Sequence, residues 1–250
     1  MHTNLPYSTP APSRAVTIAK AALLFGLAAY FAYTIVSGSL TNYINARFAW
    51  LSYVAAILFA IGGAAALLAL RGGPRTSAFG HSRTSLSMLL MLATPLVLGT
   101  LIPSRPLGVD AINGSIRVGA ASYGAAEIAL VSKSPLDRDI LDWSRAFASE
   151  PSPSAFNGQQ AKVLGFVYTE PDYPPNTFMV ARFTVSCCVA DASALGLPAY
   201  DASAGVLEDG TWVEVAGEFQ AGDFLGQQTP VLHVAQITPV EAPAHPYLYP

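Results

Sequence analysis

The stretch Phe48–Leu70, FAWLSYVAAILFAIGGAAALLAL, contains no charged residue. About 20 residues of apolar helix cross the hydrocarbon core of a bilayer. This stretch is long enough to cross, so it predicts a membrane-spanning helix. Small residues recur within it, from Gly62 to Ala66, and small residues allow neighbouring helices to pack closely.

Two further apolar runs flank this stretch. Val16–Val36 carries one charge, Lys20, near its start, and Leu86–Ile102 carries none but contains Pro95, which a helix within a bundle tolerates. The first run could instead be a signal peptide, although it exceeds the usual apolar length of one. The other could be a buried or re-entrant helix. We predict a three-span module at residues 16–103, after a tail at residues 1–15.

The composition excludes several classes of protein. Hydrophobic residues make up 52% of the chain and charged residues 12%, with a mean hydropathy of +0.41. Ordinary soluble domains carry about 25% charged residues, and disordered chains are polar and rich in charge. The net charge is -3 at pH 7, without the basic face that nucleic-acid binding requires on a folded domain.

The charges are divided unequally along the chain, and this predicts an orientation. Residues 1–109 contain seven basic and no acidic residues, whereas residues 110–250 contain six basic and sixteen acidic ones. Short loops that carry Lys and Arg are retained in the cytoplasm, and the loop Arg71–Ser85 carries three Arg. We therefore predict a multi-pass protein of the bacterial plasma membrane, with its N-terminus inside and everything after about Pro103 outside.

The second half reads as a linker, a helix and a small β domain. Residues 104–134 are rich in Gly, Ala and Ser, and we assign them to an extracytoplasmic linker. Ser134 as N-cap and Pro135 at the first helical position predict a helix. Its apolar residues fall on one face at helical spacing, namely Leu136, Ile140, Trp143 and Phe147.

Alternating apolar residues predict five strands within residues 135–250. These are Ala161–Thr169, Thr177–Cys188, a short strand near Leu195–Tyr200, TWVEVAGEF after the turn at Asp209-Gly210, and Pro230–Val240. Five short strands with Gly-rich connections suit a barrel of the OB type. A fragment of a β-sandwich is the alternative.

Cys187-Cys188 contains both cysteines of the chain. Adjacent cysteines cannot form an ordinary disulfide without distortion of the peptide, and they lack C-x-x-C spacing. In a strand their side chains point to opposite faces. The more apolar face includes Cys187, so we expect Cys187 in the core and Cys188 exposed. A purely structural role and a metal or redox role, helped by the nearby Asp191, both remain open; zinc is a possible metal.

No other local pattern predicts chemistry. The four histidines have no ligand spacing, and motifs for nucleophilic, zinc-dependent or phosphate-binding catalysis are absent from the sequence. We therefore assign no catalytic residue and predict that the protein is not an enzyme. The tyrosines of the terminal PYLYP could contact a partner or belong to a docked terminus. The candidate solute- or partner-binding residues are Cys187, Cys188, Asp191, Trp212, Tyr247 and Tyr249, and the candidate metal ligands are Cys187 and Cys188.

Several stretches together resemble the YcgQ-like family of membrane proteins. They include LTNYINARF, TPLVLGTLIPSRPLG, DILDWSRAF, NGQQAKVLGFVYTEP, RFTVSCCVADA, DGTWVEVAGEF and the terminal PYLY. The resemblance implies the small partner of a two-component permease, encoded beside a larger multi-span permease, with a small β-barrel at its C-terminus. The loop RGGPRTSAFGHSR departs from the family pattern, because it holds His81 alone where members carry a stretch rich in His and Cys.

Two functions follow as hypotheses. The first is a membrane-anchored accessory subunit whose extracytoplasmic β domain captures, gates or delivers a solute for a larger permease subunit. The alternative is an extracytoplasmic thiol- or metal-binding protein that uses Cys187 and Cys188.

Overall fold

The computed structural model describes residues 14–71, 86–112, 116, 133–203 and 207–250. The chain divides into two compact units. One takes the described residues of Met1–Leu40 and Arg47–Arg105, and the other takes Thr41–Ala46 with those of Pro106–Pro250. Most of the predicted tail and linker, as well as His2 and His81, lie outside the described residues.

The first unit consists of three helices: α1 (Arg14–Val36), α2 (Trp50–Arg71) and α3 (Leu86–Leu101). The helices α1 and α2 are both long and apolar enough to cross a membrane, and α3 is a shorter apolar helix. Pro95 lies inside α3 without ending it. Most of the apolar side chains of α2 are exposed, including Ile57, Leu58 and Leu68. A helix that is apolar all round, and that little of the protein covers, suits a lipid surrounding.

Glycines allow α1 to pack closely against both other helices. A Cβ on Gly63 of α2 would lie 2.9 Å from Cε2 of Phe25, and a Cβ on Gly99 of α3 would meet the hydroxyl of Tyr30. Both glycines therefore make room for an aromatic side chain of α1. Of the small residues in the second apolar run, Gly63 acts in packing as the sequence predicts, whereas Ala64 and Ala65 are exposed.

In the second unit, a short helix precedes the strands, but it begins later than predicted. Pro135–Asp137 forms a 3-10 turn, and α4 spans Ile140–Ser149. Its N-cap is Asp139, not Ser134, because Asp139 and Asp142 form a capping box in which each side chain accepts a hydrogen bond from the other residue's backbone. The predicted apolar face holds for Ile140 and Trp143, which are fully buried, whereas Leu136 lies before the helix and is exposed.

Five strands follow and close into a barrel: β1 (Gln160–Tyr168), β2 (Thr177–Thr184), β3 (Ser193–Tyr200), β4 (Trp212–Phe224) and β5 (Gln227–Pro239). Their order around the barrel is β1-β2-β3-β5-β4. All neighbours pair antiparallel except β3 and β5, which run parallel. The sequence therefore predicts the number and approximate positions of the strands correctly, and the sheet is mixed.

The core of the barrel comes from alternate positions of the strands. Along β4, Val213, Val215 and Phe219 are fully buried, as the alternation predicts. Trp143 of α4 packs edge-on against Phe219, with ring centroids 4.7 Å apart. The register of β4 against β5 shifts between Ala216 and Gly217, where a Cβ would collide with the carbonyl oxygen of His233. Only glycine allows the two backbones to approach so closely there.

Candidate functional site

The two cysteines lie on a turn, which we call the thiol turn (Val185–Asp191), and not on a strand. The strand β2 ends at Thr184; beyond it Val185 is buried, Cys187 is exposed and Cys188 is half-buried. The expectation that Cys187 is a core residue is therefore wrong. The alternation of β2 stops where its pairing with β3 stops, at Thr184 opposite Ser193.

Asp191 holds the thiol turn in shape. Its carboxylate accepts hydrogen bonds from the backbone amides of Ser186 (2.8 Å) and Cys187 (2.7 Å). Asp191 itself closes a 3-10 turn that begins at Val189. The sequence thus brings Asp191 next to both cysteines as predicted, but the carboxylate binds backbone N–H groups and gives the turn its conformation.

The two thiols are close together, and the pKa of Cys187 is raised. The two sulfur atoms are 3.7 Å apart. The pKa of Cys187 is raised to about 11, mainly by hydrogen bonding to Asp191 and secondly by hydrogen bonding to Cys188. A thiol reacts or binds metal as the thiolate. The raised pKa therefore disfavours both reaction and metal binding by Cys187 at neutral pH. Among the described residues, no three His, Cys, Asp or Glu side chains form a group that could hold a metal ion.

The thiol turn is covered on one side by the strap (Thr41–Ala46), the segment between α1 and α2. The strap and the thiol turn form an isolated antiparallel bridge between Ile44 and Cys188. The backbone N–H of Asn45 donates to the carbonyl oxygen of Cys187 (3.1 Å), and that of Val189 donates to the carbonyl oxygen of Tyr43 (2.9 Å). The strap therefore extends the β structure of the second unit, to which it belongs.

The side chain of Asn45 strengthens this connection. It is only 5% exposed, and its Nδ2 donates to the carbonyl oxygens of Ser186 (2.9 Å) and Val185 (3.4 Å). These acceptors belong to backbone that has left the β2–β3 ladder. Asn45 thus satisfies groups that the end of the strand leaves unpaired.

The C-terminal tail (His245–Tyr249) docks beside the same turn. Leu248 pairs in parallel with Thr184, donating its N–H to Phe183 (2.8 Å) and accepting from Val185 (3.0 Å). Tyr247 is 3% exposed, and burial raises its pKa. The predicted candidates Tyr247 and Tyr249 therefore belong to a docked terminus, since Tyr249 also packs against the core.

The hydroxyl of Tyr247 joins two segments that lie far apart in sequence. It donates to the carbonyl oxygen of Asn42 in the strap (3.0 Å) and accepts from the N–H of Leu107 (2.9 Å). Asn42 follows α1, and Leu107 follows α3. A single buried side chain thus ties together the two places where the chain enters the second unit from the first.

Trp212 is the first residue of β4 and is connected to the tail through Arg182. The guanidinium of Arg182 lies 5.8 Å from the centroid of Trp212 and donates to the carbonyl oxygens of Pro246 (3.0 Å) and His245 (2.6 Å). Sequence reasoning missed Arg182 and Asn45. Arg182 is the only charged residue of β2, which is the signal that could have drawn attention to it.

Comparisons with known proteins cover both units. Residues 20–115 match the family model described as the DUF1980 N-terminal domain, and residues 141–250 match the DUF1980 C-terminal domain. A protein of Streptococcus mutans serotype c, named "Putative two-component membrane permease complex subunit", is 24% identical over 264 residues. The alignment covers 89% of this chain and 97% of that relative.

Solved structures match part of the chain. One of them is a small single-stranded DNA-binding protein from Streptomyces coelicolor, 15% identical, and the match covers 34% of this chain and 94% of that one. The TM-score is 0.24, so this likeness carries no argument about fold or ligand.

Proposed function

We propose, from the premise that the chain carries both domains of DUF1980, that it is the accessory subunit of a two-component membrane permease. The observation that carries this proposal is the relative named as a permease complex subunit, which aligns over nearly its whole length. The YcgQ-like resemblance agrees with it. The apolar helices α1 and α2 supply the membrane anchor.

The helices alone offer no path for a solute, so the proposal includes a larger partner. Ionisable residues within spans usually mark substrate and ion paths. In α1, α2 and α3 the only charge away from a helix end is Lys20, and there is no acidic residue. A multi-span permease subunit therefore supplies the path, and this chain supplies a domain that acts on the solute outside the membrane.

The strap supports three spans. Thr41–Ala46 and the residues from Pro106 onward belong to one compact unit. The chain between them thus begins and ends in that unit, and a segment with both ends on one side of a membrane crosses it an even number of times. If α2 crosses, α3 crosses back. At 16 residues and about 1.5 Å of rise per residue, α3 is short, and local thinning of the bilayer accommodates short spans.

The orientation rests on the arginine-rich loop after α2. Lys and Arg in short loops favour the cytoplasmic side, which places the second unit outside. The barrel itself fits the OB type, because its five strands close in the order β1-β2-β3-β5-β4 with β3 and β5 parallel. OB barrels bind their ligands on one sheet face and the loops beside it. This mode of binding suits a domain that captures or delivers a solute.

Cysteine labelling tests the topology. In a chain with Cys187 and Cys188 replaced by Ser, single cysteines are introduced by Ser37→Cys, Ser77→Cys and Ser203→Cys and treated in intact cells with a membrane-impermeant maleimide. We expect labelling at positions 37 and 203 and none at 77. Opposite labelling of 37 and 203 would contradict the three spans, and labelling at 77 alone would reverse the orientation.

Co-purification tests the function. The tagged full-length chain is co-expressed with the multi-span membrane protein encoded beside it, and the complex is purified in a mild detergent. We expect a stable complex, and transport in liposomes only when both subunits are present. Transport by this chain alone, or failure of the two chains to associate, would contradict the accessory-subunit proposal.

Thiol or metal binding is the second candidate function. The observation in its favour is the pair of accessible sulfur atoms 3.7 Å apart. Titration of the full-length protein with Zn²⁺ tests it: tight binding of one ion, lost in Cys187→Ser and in Cys188→Ser, would support it. Binding that both variants retain would rule out the thiols as ligands.

A further inference from the structure

A cavity of about 210 Å³ lies in the barrel unit, away from the cysteines, between the β1–β2 loop and the β4–β5 hairpin. Its lining includes Glu170, Tyr173, Met179, Phe224, Leu225 and Thr229. Sites for drug-sized ligands measure about 300–1,000 Å³, so this one suits a smaller molecule. It combines an apolar wall with one carboxylate.

Aromatic rings form part of the wall. Tyr173 packs edge-on against Phe224 with ring centroids 5.0 Å apart, and Tyr168 packs behind Tyr173 at 6.3 Å. Glu170 accepts a hydrogen bond of 2.5 Å from the hydroxyl of Tyr168. That bond, together with burial, raises the pKa of Tyr168 to about 12. The carboxylates of Asp172 and Asp209 act in the same direction on this phenol.

The electrostatic field at the cavity therefore favours positive charge. The charged side chains that raise the pKa of Tyr168 and of Tyr173 are carboxylates, namely Glu170, Asp172 and Asp209. An anionic ligand would meet repulsion there. Ca²⁺ and Mg²⁺ require several oxygen ligands, whereas one carboxylate lines the cavity. Aromatic faces attract organic ammonium groups, which also bury their methyl and methylene groups against apolar walls.

Leu225 points to the same conclusion from the backbone. It lies at the hairpin tip with φ +53°, followed by Gly226 at φ +80°, and it is 49% exposed. A two-residue hairpin with positive φ at both positions favours Asn or Gly, and a leucine there is strained. An exposed, strained leucine that lines a cavity suits a contact with a ligand better than it suits the hairpin.

We propose that this cavity binds a small organic ammonium cation, with Glu170 as its counter-charge, Tyr173 and Phe224 as the aromatic wall, and Leu225 at the edge. This names the class of solute for the β domain and rests on the proposed function only for that role. The ammonium group could belong to a free solute or to a lipid headgroup, and both present the same chemistry to the cavity.

Choline is the probe, and 3,3-dimethylbutan-1-ol is its uncharged carbon isostere. Binding of each to the full-length protein in dodecyl maltoside is measured by calorimetry and by saturation-transfer NMR. We expect choline to bind and the isostere to bind at least tenfold more weakly. Glu170→Gln should weaken choline binding about tenfold to hundredfold, since it removes the negative charge that attracts the quaternary ammonium group, which has no N–H to donate. Glu218→Gln, the same change at an exposed carboxylate that neither lines the cavity nor shifts the pKa of Tyr168 or Tyr173, is the matched control and should retain affinity within about threefold.

Thermal melting of every variant checks that it is folded. The variant Leu225→Asn gives a second, independent test of the cavity. It should keep the hairpin and weaken choline binding. Equal binding of choline and its isostere, no binding of choline, or unchanged affinity in folded Glu170→Gln would each overturn the proposal. In nanodiscs, weaker binding of free choline with phosphatidylcholine than with phosphatidylglycerol assigns the cavity to headgroups, and equal binding assigns it to a free solute. None of these outcomes depends on the permease partner, whose absence co-purification would reveal separately.

Discussion

Asn45→Ala should release the strap from the thiol turn while the barrel stays folded. The side chain of Asn45 is 5% exposed and donates to two backbone carbonyl oxygens, at 2.9 Å and 3.4 Å. Alanine keeps the backbone hydrogen bonds of the strap but removes both side-chain donors. The carbonyl groups of Ser186 and Val185 would then lose the partner that Asn45 supplies.

The magnitude follows from these two hydrogen bonds. A typical intramolecular hydrogen bond contributes about 0.5–1.5 kcal/mol net, and the bond of 3.4 Å is at the weak end because the distance exceeds the usual range. We therefore expect Asn45→Ala to reduce the free energy that favours the closed strap over the open strap by about 1–2 kcal/mol. That corresponds to a 5- to 30-fold rise in the population of the open strap.

Hydrogen exchange measured by mass spectrometry on the full-length protein in nanodiscs reports this opening directly. The amides of Asn45 and Val189 both donate across the bridge between strap and thiol turn. Peptides that contain them should exchange about 5- to 30-fold faster in Asn45→Ala, and peptides from β4 should exchange at the wild-type rate. Thr41→Ala is the control, because its hydroxyl makes an exposed contact of 3.5 Å with Ala244. Unchanged exchange in the strap would refute the reasoning, and so would equal acceleration in β4, which would mean that Asn45 stabilises the whole unit.

Three further predictions concern the thiol turn, the barrel and the tail. In a Cys188→Ser background, which removes the contribution of the second thiol, alkylation of Cys187 should still rise with pH beyond 8.5, because the hydrogen bond to Asp191 raises the pKa of Cys187; adding Asp191→Asn should increase the rate at pH 8 by about tenfold for each pH unit by which this pKa falls, and a plateau near pH 8.5 with Asp191 in place would contradict its role. Gly217→Ala should destabilise the barrel by about 1–3 kcal/mol in denaturant unfolding followed by tryptophan fluorescence; Gly108→Ala, where a Cβ meets nothing within 4 Å, should leave the midpoint unchanged, and equal midpoints for both would refute the clash at His233. Tyr247→Phe should lower the free energy of unfolding by about 1–3 kcal/mol, since it removes two hydrogen bonds to half-buried backbone groups of Asn42 and Leu107 and each contributes about 0.5–1.5 kcal/mol; wild-type stability would show that the hydroxyl does not join the two segments.

The sequence predicts what depends on local periodicity. The charge-free run before Arg71 predicts a helix in lipid, and α2 forms there. The alternation in TWVEVAGEF predicts a strand with one buried face, and β4 forms there. A capping box is also a local signal, and Asp139 with Asp142 shows it. The prediction of Ser134 as N-cap holds for the 3-10 turn Pro135–Asp137, whereas the α-helix that follows is capped by Asp139 and its reciprocal hydrogen bonds with Asp142.

The end of β2 shows where periodicity stops being informative. Apolar and polar residues continue to alternate through Val185 and Cys187, so the pattern places Cys187 in the core. Beyond Thr184 the amides of Ser186 and Cys187 donate to the carboxylate of Asp191 and not to a neighbouring strand. The conformation after Thr184 thus depends on a side chain further along the chain, and the alternation of apolar and polar residues does not reveal this dependence.

The strap and the tail could not be paired from the sequence, although the stretches LTNYINARF and PYLY both stand out in it. Their contact joins residues about 200 positions apart, through one hydroxyl of Tyr247 and the backbone of Asn42. Such a contact has no periodic signature, because a single hydrogen bond between loops leaves neighbouring positions unconstrained. For the proposed accessory subunit, the consequence of this contact is larger than its energy: if the barrel unit lies on one side of the membrane, a segment that leaves this unit at Ala46 and returns to it at Pro106 crosses an even number of times. In that proposal, a contact within the barrel unit favours a membrane crossing by α3, which the length of α3 alone does not predict.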